Sequence, residues 1–291
     1  MTRGGLVAEM DTGSFVESRA VGDATVTAIS DGSGRSSIMQ ELLVPRDEWR
    51  REIDADEQDE IELGYNVAHL RLGAASILID LGFDDPSPQS QWRAPRHQRS
   101  PGVIAALAAL GVTPEEITHV LITHAHGDHV AGGSVERDGV YVPRYPNATY
   151  FLGRGDWEGN PAREQPTSLL ARHLGPVEAA GHLALVDDER EIVPGVTMMA
   201  SPGESPGHCN IRVVSKGATF YFLGDLFHHP CEVPHIDWAC RGRDAAALIA
   251  SREALIAAAV PEDALVMTTH MPFPAFARLR EGAGGLVWAV E

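Results

Sequence analysis

The chain has 291 residues, which is enough for one large domain with a sizeable hydrophobic core. Hydrophobic residues make up 44% of the chain and charged residues 22%, proportions typical of soluble globular enzymes. Lysine and arginine total 23 against 41 aspartates and glutamates, which gives a formal net charge of −18. Because such a charge repels phosphate backbones and anionic lipid surfaces, it argues against a nucleic-acid substrate and against a membrane-surface role.

The N-terminal sequence and the cysteine pattern bear on the compartment in which the protein is expected to work. Residues 1–15 contain no apolar segment of the secretory type, and the longest nearly apolar run, residues 103–112, is too short to cross a bilayer. The three cysteines lack CxxC spacing. An odd number of cysteines without a secretory segment favours reduced thiols, so we expect a cytoplasmic protein.

The first half of the chain alternates short apolar runs with turn residues. Residues 1–20 are predicted to form a loosely ordered arm, and the polar, acidic stretch 33–64 to contain one short helix near residues 46–53. Residues 84–101, which include Trp92, predict a long surface loop of the kind that often carries function. The other predicted elements are a strand over 24–29 that Asp31-Gly32 ends, a hairpin of 65–72 and 75–81 around Gly73, an alanine-rich helix over 102–110, a capping box at 113–116 and a strand over 117–122.

The second half is richer in strands. Helices are predicted over 155–159, 168–174 and 244–259, and strands over 148–152, 183–186, 196–200, 211–214, 219–223, 264–268 and around Ala289. Two strand-rich halves with flanking helices predict two sheets packed face to face with helices outside. No change of composition marks a boundary, so we expect a single domain over residues 1–291.

A dense group of potential metal ligands follows the predicted strand over 117–122. His124, His126, Asp128 and His129 fall within six residues. Alternate residues of an extended chain point the same way, so His124 and His126 can reach one metal together. A glycine then lets the chain turn and aim Asp128 and His129 at a second metal. Imidazole nitrogen and carboxylate oxygen suit zinc and its neighbours in the first transition row.

Three later segments place further ligands at strand boundaries. His208 follows a Pro-Gly turn just before the strand over 211–214, Asp225 follows the strand over 219–223, and His270 follows the strand over 264–268. One loop cannot saturate two metals, and a sheet fixes the position of its strand ends. These three side chains are therefore predicted to complete a two-metal site with a shared anion between the metals.

The combined motifs resemble those of the metallo-β-lactamase superfamily over residues 20–291. The early loop matches the HxHxDH motif, and the three later residues match the PGH motif, the GD motif and the late histidine. The resemblance implies a four-layer αββα sandwich of the α/β (α+β) class, with a dinuclear site at one edge. It also implies the ligands: His124, His126 and His208 for the first metal, Asp128, His129 and His270 for the second, and Asp225 bridging both. Zinc is the expected metal, and manganese, iron or cobalt can occupy the same ligands.

Shorter segments indicate which groups within the superfamily the chain resembles. Segments 146–150, 224–229 and 270–274 resemble N-acyl-homoserine lactone lactonases and methyl-parathion-type phosphotriesterases. Asp225 stands where zinc β-lactamases of the commonest class have cysteine, so β-lactamase activity is expected to be secondary at most. His126 stands where the flavin-linked diiron reductases have glutamate, which argues against oxygen reduction.

The resemblance implies a hydrolase that opens lactones or cleaves neutral esters, with phosphotriesters as main or side substrates. The expected nucleophile is a hydroxide that bridges the two metals. The residues expected to act in catalysis are Asp128, which orients the hydroxide, Asp225, and His228, which touches the substrate or leaving group. A supporting or merely exposed position is the alternative for His228. The resemblance also makes a homodimer an expectation.

Aromatic residues beside the motifs are candidates for the substrate pocket: Trp157, Phe227, Trp238 and Phe273. The alternative for each is ordinary core packing. Asp80 is a candidate hydrogen-bond partner for a ligand imidazole. Competing functions are a thiolester hydrolase or a mononuclear iron sulfur dioxygenase of the same fold, and a non-catalytic binding protein, which predicts decayed ligand positions.

Overall fold

The computed structural model describes residues 15–83, 102–282 and 285–291. The strands in chain order are β1 (Val16–Val21), β2 (Ala24–Ser36), β3 (Ile61–Leu72), β4 (Ala75–Ile79), β5 (His119–Ile122), β6 (Ser134–Arg137), β7 (Val140–Pro143), β8 (Thr149–Gly153), β9 (Leu183–Val186), β10 (Glu189–Val193), β11 (Val196–Ala200), β12 (Cys209–Ser215), β13 (Ala218–Phe222), β14 (Leu265–Met267), β15 (Phe276–Gly282) and β16 (Gly285–Val290). The α-helices are α1 (Arg46–Trp49), α2 (Val103–Ala109), α3 (Gly127–Val130), α4 (Arg154–Trp157), α5 (Leu169–Ala179) and α6 (Ala245–Ala259). Short 3₁₀ helices cover Ile38–Glu41, Pro114–Glu116, Pro161–Glu164 and Pro230–Glu232.

Two seven-stranded sheets form the centre of the molecule. The first has the strand order β1-β2-β3-β4-β5-β8-β9, and the second has the order β10-β11-β12-β13-β14-β15-β16. Parallel pairing is confined to β4-β5, β5-β8 and β8-β9 in the first sheet and to β13-β14 in the second. The two sheets are therefore mixed, and each contains parallel neighbours whose carboxyl ends lie at the same edge.

Burial on both faces explains the layers. In β4, Ile77 and Ile79 join the cluster that also contains Ile211 and Phe220 of the second sheet, whereas Leu78 joins the cluster with α2 and α5. Successive side chains of a strand point to opposite faces, so the first sheet is covered by the second sheet on one side and by helices on the other. With α6 packed on the second sheet, the predicted αββα sandwich is confirmed.

Two predictions for the N-terminal region need correction. Residues 16–20 are part of β1, which pairs with β2 from Val16 opposite Ile29, and do not belong to a loose arm. The strand over 24–29 does not end at Asp31-Gly32 but runs to Ser36, because a register shift between Ser30 and Ser33 absorbs the extra residues as a bulge. Residues 1–14 and the predicted loop over 84–101 lie outside the described residues.

The predicted hairpin around Gly73, helix α6 and strands β9 and β11 are confirmed, whereas β6, β7, β10 and β15 were not predicted. The stretch 33–64 forms a third hydrophobic cluster with the loop after β13: Met39, Leu42, Trp49, Ile53, Ala55, Ile61, Leu63, Cys231, Trp238 and Cys240. Among the helices of the described residues, none is both long and apolar enough to cross a membrane.

Candidate metal centre

The candidate centre lies where parallel strands of both sheets end. Asp80 follows β4 and the loop 123–129 follows β5 in the first sheet, while Asp225 and His270 follow the parallel strands β13 and β14 in the second. Carboxyl ends of parallel strands share one sheet edge, which is where ligands bind in open α/β sheets. The packing of the two sheets brings these edges together.

Hydrogen bonds between the halves fix this convergence. The Asn66 side chain on β3 donates through Nδ2 to the carbonyls of Thr269 and Met271, at 2.9 and 2.7 Å. The Cys209 amide donates to the Thr123 carbonyl at 2.8 Å. Each bond joins a strand or loop of one sheet to a ligand-bearing loop of the other, so the two sets of ligand residues are held in register.

Asp156 ties the HxHxDH loop to the PGH loop. Its carboxylate is buried and accepts hydrogen bonds from the amides of Ala125 and Gly207, at 2.7 and 2.6 Å, and from the Ser205 hydroxyl at 2.8 Å. A carboxylate that accepts several donors holds them in a defined arrangement. Sequence reasoning missed Asp156, because an aspartate in a short helix carries no local sign of such a role.

The glycine before Asp225 is required by close packing. Gly224 has a positive φ of 51°, and a Cβ there would lie 2.7 Å from Thr123 Oγ1 and 2.8 Å from His208 Nε2. Only glycine adopts this conformation without steric cost and lets the chain pass so close to two residues of the centre. The Gly-Asp pair therefore places Asp225 beside the histidines.

Two of the three histidines predicted for the first metal, His124 and His126, come together beside Asp225. His124 Nε2 and His126 Nδ1 are 2.8 Å apart, and His208 Nε2 accepts a hydrogen bond from the Asp225 amide at 3.2 Å. Asp225 Oδ2 lies 3.5 Å from His124 Nε2. Ligand atoms of His124, His126 and Asp225 therefore lie within 4.8 Å of one another, whereas His208 is outside this group and its Nε2 contacts the Asp225 amide.

The residues predicted for the second metal lie on the other side of Asp225. His270 Nε2 is 3.0 Å from Asp225 Oδ2 and 3.4 Å from Asp128 Oδ2. His129 Nε2 is 3.3 Å from Asp225 Oδ1 and 3.7 Å from Asp128 Oδ2. Asp225 is therefore the one predicted ligand whose carboxylate reaches histidines of both sets, as a bridging role requires.

The ring nitrogens that face away from the centre are held by the protein. The pairs are His124 Nδ1 with Thr123 Oγ1 at 3.1 Å, His129 Nδ1 with Asp80 Oδ2 at 2.7 Å, His208 Nδ1 with the Ser201 carbonyl at 2.9 Å, and His270 Nδ1 with the Gly64 carbonyl at 2.9 Å. Metal-binding histidines characteristically use their second nitrogen in this way, which sets ring orientation and tautomer. The predicted contact of Asp80 with a ligand imidazole is confirmed.

The charges of the centre favour a cation. Burial lowers the pKa of His124 well below its ordinary value, so this imidazole is neutral and free to donate a lone pair. Burial also acts to lower the pKa of His129, but the carboxylates of Asp225, Asp80 and Asp128 outweigh it and raise that pKa well above its ordinary value. A field that stabilises a proton on His129 equally stabilises a metal cation at the same place.

The residues present fit two metal ions. His129 Nε2 and Asp225 Oδ1 are buried and face each other at 3.3 Å, yet neither makes a hydrogen bond to any residue that the structure describes. Buried polar atoms without hydrogen bonds are costly, and a bound cation would satisfy both. Ligand atoms of Asp128, His129 and His270 lie within 4.8 Å of one another, as required for a common metal. Their nitrogen and oxygen donors are those that zinc prefers.

His228 lies inside the centre. Its ring stacks on that of His270 with centroids 5.3 Å apart, and its Nε2 is 3.5 Å from Asp225 Oδ2. The Glu232 carboxylate accepts hydrogen bonds from the amides of His228 and His229, and Arg252 pairs with Glu232 at 2.9 Å. The buried Glu232–Arg252 pair therefore shapes the loop that carries His228, a role that no local sequence pattern revealed.

The aromatic residues predicted to line the substrate pocket are differently placed. Trp157 packs in the core and donates through Nε1 to Glu178 at 3.0 Å, and Phe227 lies in the core beneath the Arg252 guanidinium. The structure corrects the prediction for these two, because core contacts occupy their rings. Trp238 belongs to the third hydrophobic cluster and stacks on His235, whereas Phe273 is half-buried and stays a pocket prediction.

The fold and the candidate site together indicate the superfamily to which the chain belongs. The family model for the metallo-beta-lactamase superfamily matches residues 62–270, which is more than half of the chain. The chain belongs to this superfamily, which confirms the resemblance inferred from its motifs.

Curated relatives are distant. An N-acyl homoserine lactonase of Bacillus cereus is 24% identical over 157 residues, which cover 50% of this chain and 57% of the relative. One of Bacillus thuringiensis is 24% identical over 151 residues, which cover 48% of this chain and 54% of the relative. The matched regions thus span little more than half the length of these relatives.

Solved structures match over nearly the whole chain. The hydrolase AbOPH of the beta-lactamase superfamily is 23% identical, with a TM-score of 0.79 and coverage of 95% of this chain and 97% of that one. The dizinc quorum-quenching lactonase AidC, solved with a homoserine product, is 20% identical, with a TM-score of 0.76 and the same two coverages of 95% and 97%. At these identities, the likeness shows the fold.

Proposed function

We propose that the protein is a dinuclear metal-dependent hydrolase that opens lactones or cleaves neutral esters. One observation carries the proposal: Asp225 lies between two groups of predicted ligands, with His124 Nε2 at 3.5 Å on one side and His270 Nε2 at 3.0 Å on the other. Intact ligands in both groups argue against a binding protein that has lost its chemistry. The named lactonase relatives support the choice of substrate class, and the dizinc relative supports zinc.

The proposed metal-holding residues are those that the motif resemblance implies. The first metal would be held by His124, His126 and His208, and the second by Asp128, His129 and His270, with Asp225 shared. Two bound cations would lower the pKa of a water towards ~7 and polarise the ester carbonyl. Asp128, whose Oδ2 lies 3.4 Å from His270 Nε2, would orient the attacking water.

His228 is the proton donor of the proposed reaction. Burial acts to lower its pKa, but its interaction with Asp225 and the nearby carboxylates of Glu204 and Glu232 raise that pKa to about 9. His228 Nε2 lies 3.5 Å from Asp225 Oδ2, so the ring is close enough to the centre to donate a proton to the leaving alkoxide. Cleavage of the C–O bond of a lactone or an ester releases a strongly basic alkoxide, which becomes the product hydroxyl once it takes up a proton.

The test is a substrate screen of the metal-loaded protein against homoserine lactones, aryl esters, a neutral phosphotriester, a thiolester and the β-lactam nitrocefin. We expect about two metals per chain and turnover of lactones or aryl esters, and loss of that turnover in Asp225→Ala. Phosphotriester turnover would add a side activity within the same proposal. A single iron with dioxygenase activity, turnover of the thiolester alone or turnover of nitrocefin alone would overturn it.

A further inference from the structure

Glu204 is a buried carboxylate that the motifs do not account for. It lies in the loop between β11 and β12, four residues before His208, and is 3% exposed. Its Oε1 is 3.4 Å from His126 Nδ1, the nitrogen that faces His124. Ligand atoms of Glu204, Asp225 and these two histidines all lie within 4.8 Å of one another.

Arg243 is the counter-ion of this carboxylate. Its guanidinium nitrogen lies 2.5 Å from Glu204 Oε1, and the two loops are joined where the Asp244 amide donates to the Gly203 carbonyl at 3.0 Å. Glu204 Oε2 is buried and has no hydrogen-bond partner among the described residues. A buried carboxylate is normally compensated by several partners, so one oxygen of Glu204 remains available for another positive group.

We propose that Glu204 is an additional anionic member of the first metal subsite, and that Arg243 competes with the metal for its charge. The inference rests on the proposed dinuclear centre. A carboxylate beside His126 attracts the cation that three neutral imidazoles would hold alone, and it makes the donor set more favourable for manganese, iron or cobalt. Arg243 reduces that attraction by neutralising part of the charge.

If Arg243 and the metal compete for Glu204, substitutions of Glu204 and Arg243 should change metal affinity in opposite directions. Removing the charge of Glu204 weakens cation binding in the first subsite, whereas removing the charge of Arg243 frees the carboxylate and strengthens it. If the pair only supported the loop, loss of either partner would loosen the same contact and weaken binding in both cases. The sign of the Arg243 effect therefore separates the two roles.

The experiment titrates metal-free protein with zinc and with cobalt against a chromophoric chelator, and follows the cobalt absorption spectrum. We expect Glu204→Gln to weaken one of the two bound ions by about 10–100-fold, in the range that residues supporting metal ligands show. Arg243→Gln should tighten the same ion, and Glu253→Gln, which removes an exposed carboxylate of α6, should change neither. Arg243→Lys keeps the charge and should match the unaltered protein.

Two results would overturn the inference: unchanged affinities in Glu204→Gln, or equal weakening by Glu204→Gln and Arg243→Gln while the apo-proteins keep the same melting temperature. If Arg243→Gln fails to fold, the cobalt spectrum of Glu204→Gln decides, since exchange of the carboxylate for a neutral amide beside the ion must shift it and an unshifted spectrum contradicts the inference. Unaltered protein that binds fewer than two metals would instead refute the proposed function.

Discussion

The two halves of the molecule build the same centre in different ways. The first sheet carries four of the predicted ligands on one continuous loop, and Asp80 at the next strand end accepts hydrogen bonds from the Thr123 amide and hydroxyl at 2.7 and 2.8 Å. The second sheet carries the other three predicted ligands, His208, Asp225 and His270, on three separate loops. Each of those loops is positioned by contacts with residues far away in sequence.

The difference shows which contacts determine the positions of the predicted ligands in each half. In the first half, a short segment and one neighbouring carboxylate determine most of the geometry. In the second half, the loop with Asp225 and His228 depends on Arg252, whose side chain donates to the carbonyls of Leu226 and Trp238 at 2.8 and 2.6 Å. The first half should therefore respond to local substitutions, and the second to changes in distant buried residues.

The largest effect is expected where the halves meet. Asp225→Ala removes the carboxylate shared by both ligand sets and should lower kcat/KM on the best substrate by at least on the order of 10³-fold. Metal content, measured alongside, should fall below two ions per chain. Asp237→Ala, an exposed carboxylate of the same region, is the control. Full activity in Asp225→Ala would contradict the proposed role of Asp225 as a carboxylate shared by both metals.

In the second half, Arg252→Met should destabilise the fold by about 3–5 kcal/mol, because it leaves the buried Glu232 carboxylate without its cation. Urea unfolding of the metal-free protein measures the change. Arg280→Met breaks ion pairs of a side chain that is 52% exposed and should cost no more than about 1 kcal/mol. Equal losses in the two variants would contradict the dependence of the second half on its buried pair.

In the first half, Asp80→Asn should weaken the second metal by about 10–100-fold, because the amide supports the His129 imidazole less strongly than the carboxylate does. Asparagine tolerates the positive φ of 59° at this position, so the backbone is preserved. Asp138→Asn is a matched control, since Asp138 also has a positive φ but is exposed. A chelator competition titration reports the affinities, and unchanged binding in Asp80→Asn would show that Asp80 only shapes the turn.

The smallest effect concerns His69 on β3, away from the centre. Burial, and to a lesser extent Arg71, lowers its pKa from 6.5 to about 4. The unfolded chain gains a proton on this ring below about pH 6.5, whereas the folded protein stays neutral there until about pH 4, so stability falls as the pH falls through that window. Between pH 7 and pH 5, the free energy of unfolding of His69→Gln should therefore fall by about 1–2 kcal/mol less than that of the unaltered protein.

The measurement for His69 is urea unfolding in the presence of a chelator at several pH values, so that metal release does not contribute. His235→Gln, whose side chain is 35% exposed, provides the background for removing a histidine from the surface. A stability curve of His69→Gln parallel to that of the unaltered protein would refute the assignment.

Sequence patterns predicted the fold and indicated candidate ligands because strand alternation and ligand spacing are local features. Strand alternation around Gly73 and the spacing of His124, His126 and His129 are visible in a few consecutive residues. The strand β1 was missed, because its pairing with β2 and not its own pattern makes it a strand. Likewise, β6 and β7 are short and largely exposed, so they lack a strong apolar period.

The supporting residues were harder to predict. Asp156, Glu204 and Arg252 contact parts of the chain that lie 14 to 78 residues away, and a single charged residue in a loop or helix resembles any solvated one. The aromatic residues misled for the opposite reason, because nearness in sequence to a motif did not place Trp157 or Phe227 at its surface. Burial and charge pairing decide these positions, and both depend on the tertiary structure.

The third hydrophobic cluster has a consequence for chemical labelling. Cys231 and Cys240 lie within it, and burial raises the pKa of both thiols, that of Cys240 to about 12. Protonated, enclosed sulfur reacts slowly with alkylating reagents, so modification requires the segment over 33–64 to lift from the loop after β13. The rate of alkylation would thus report how often this covering segment opens beside the candidate metal centre.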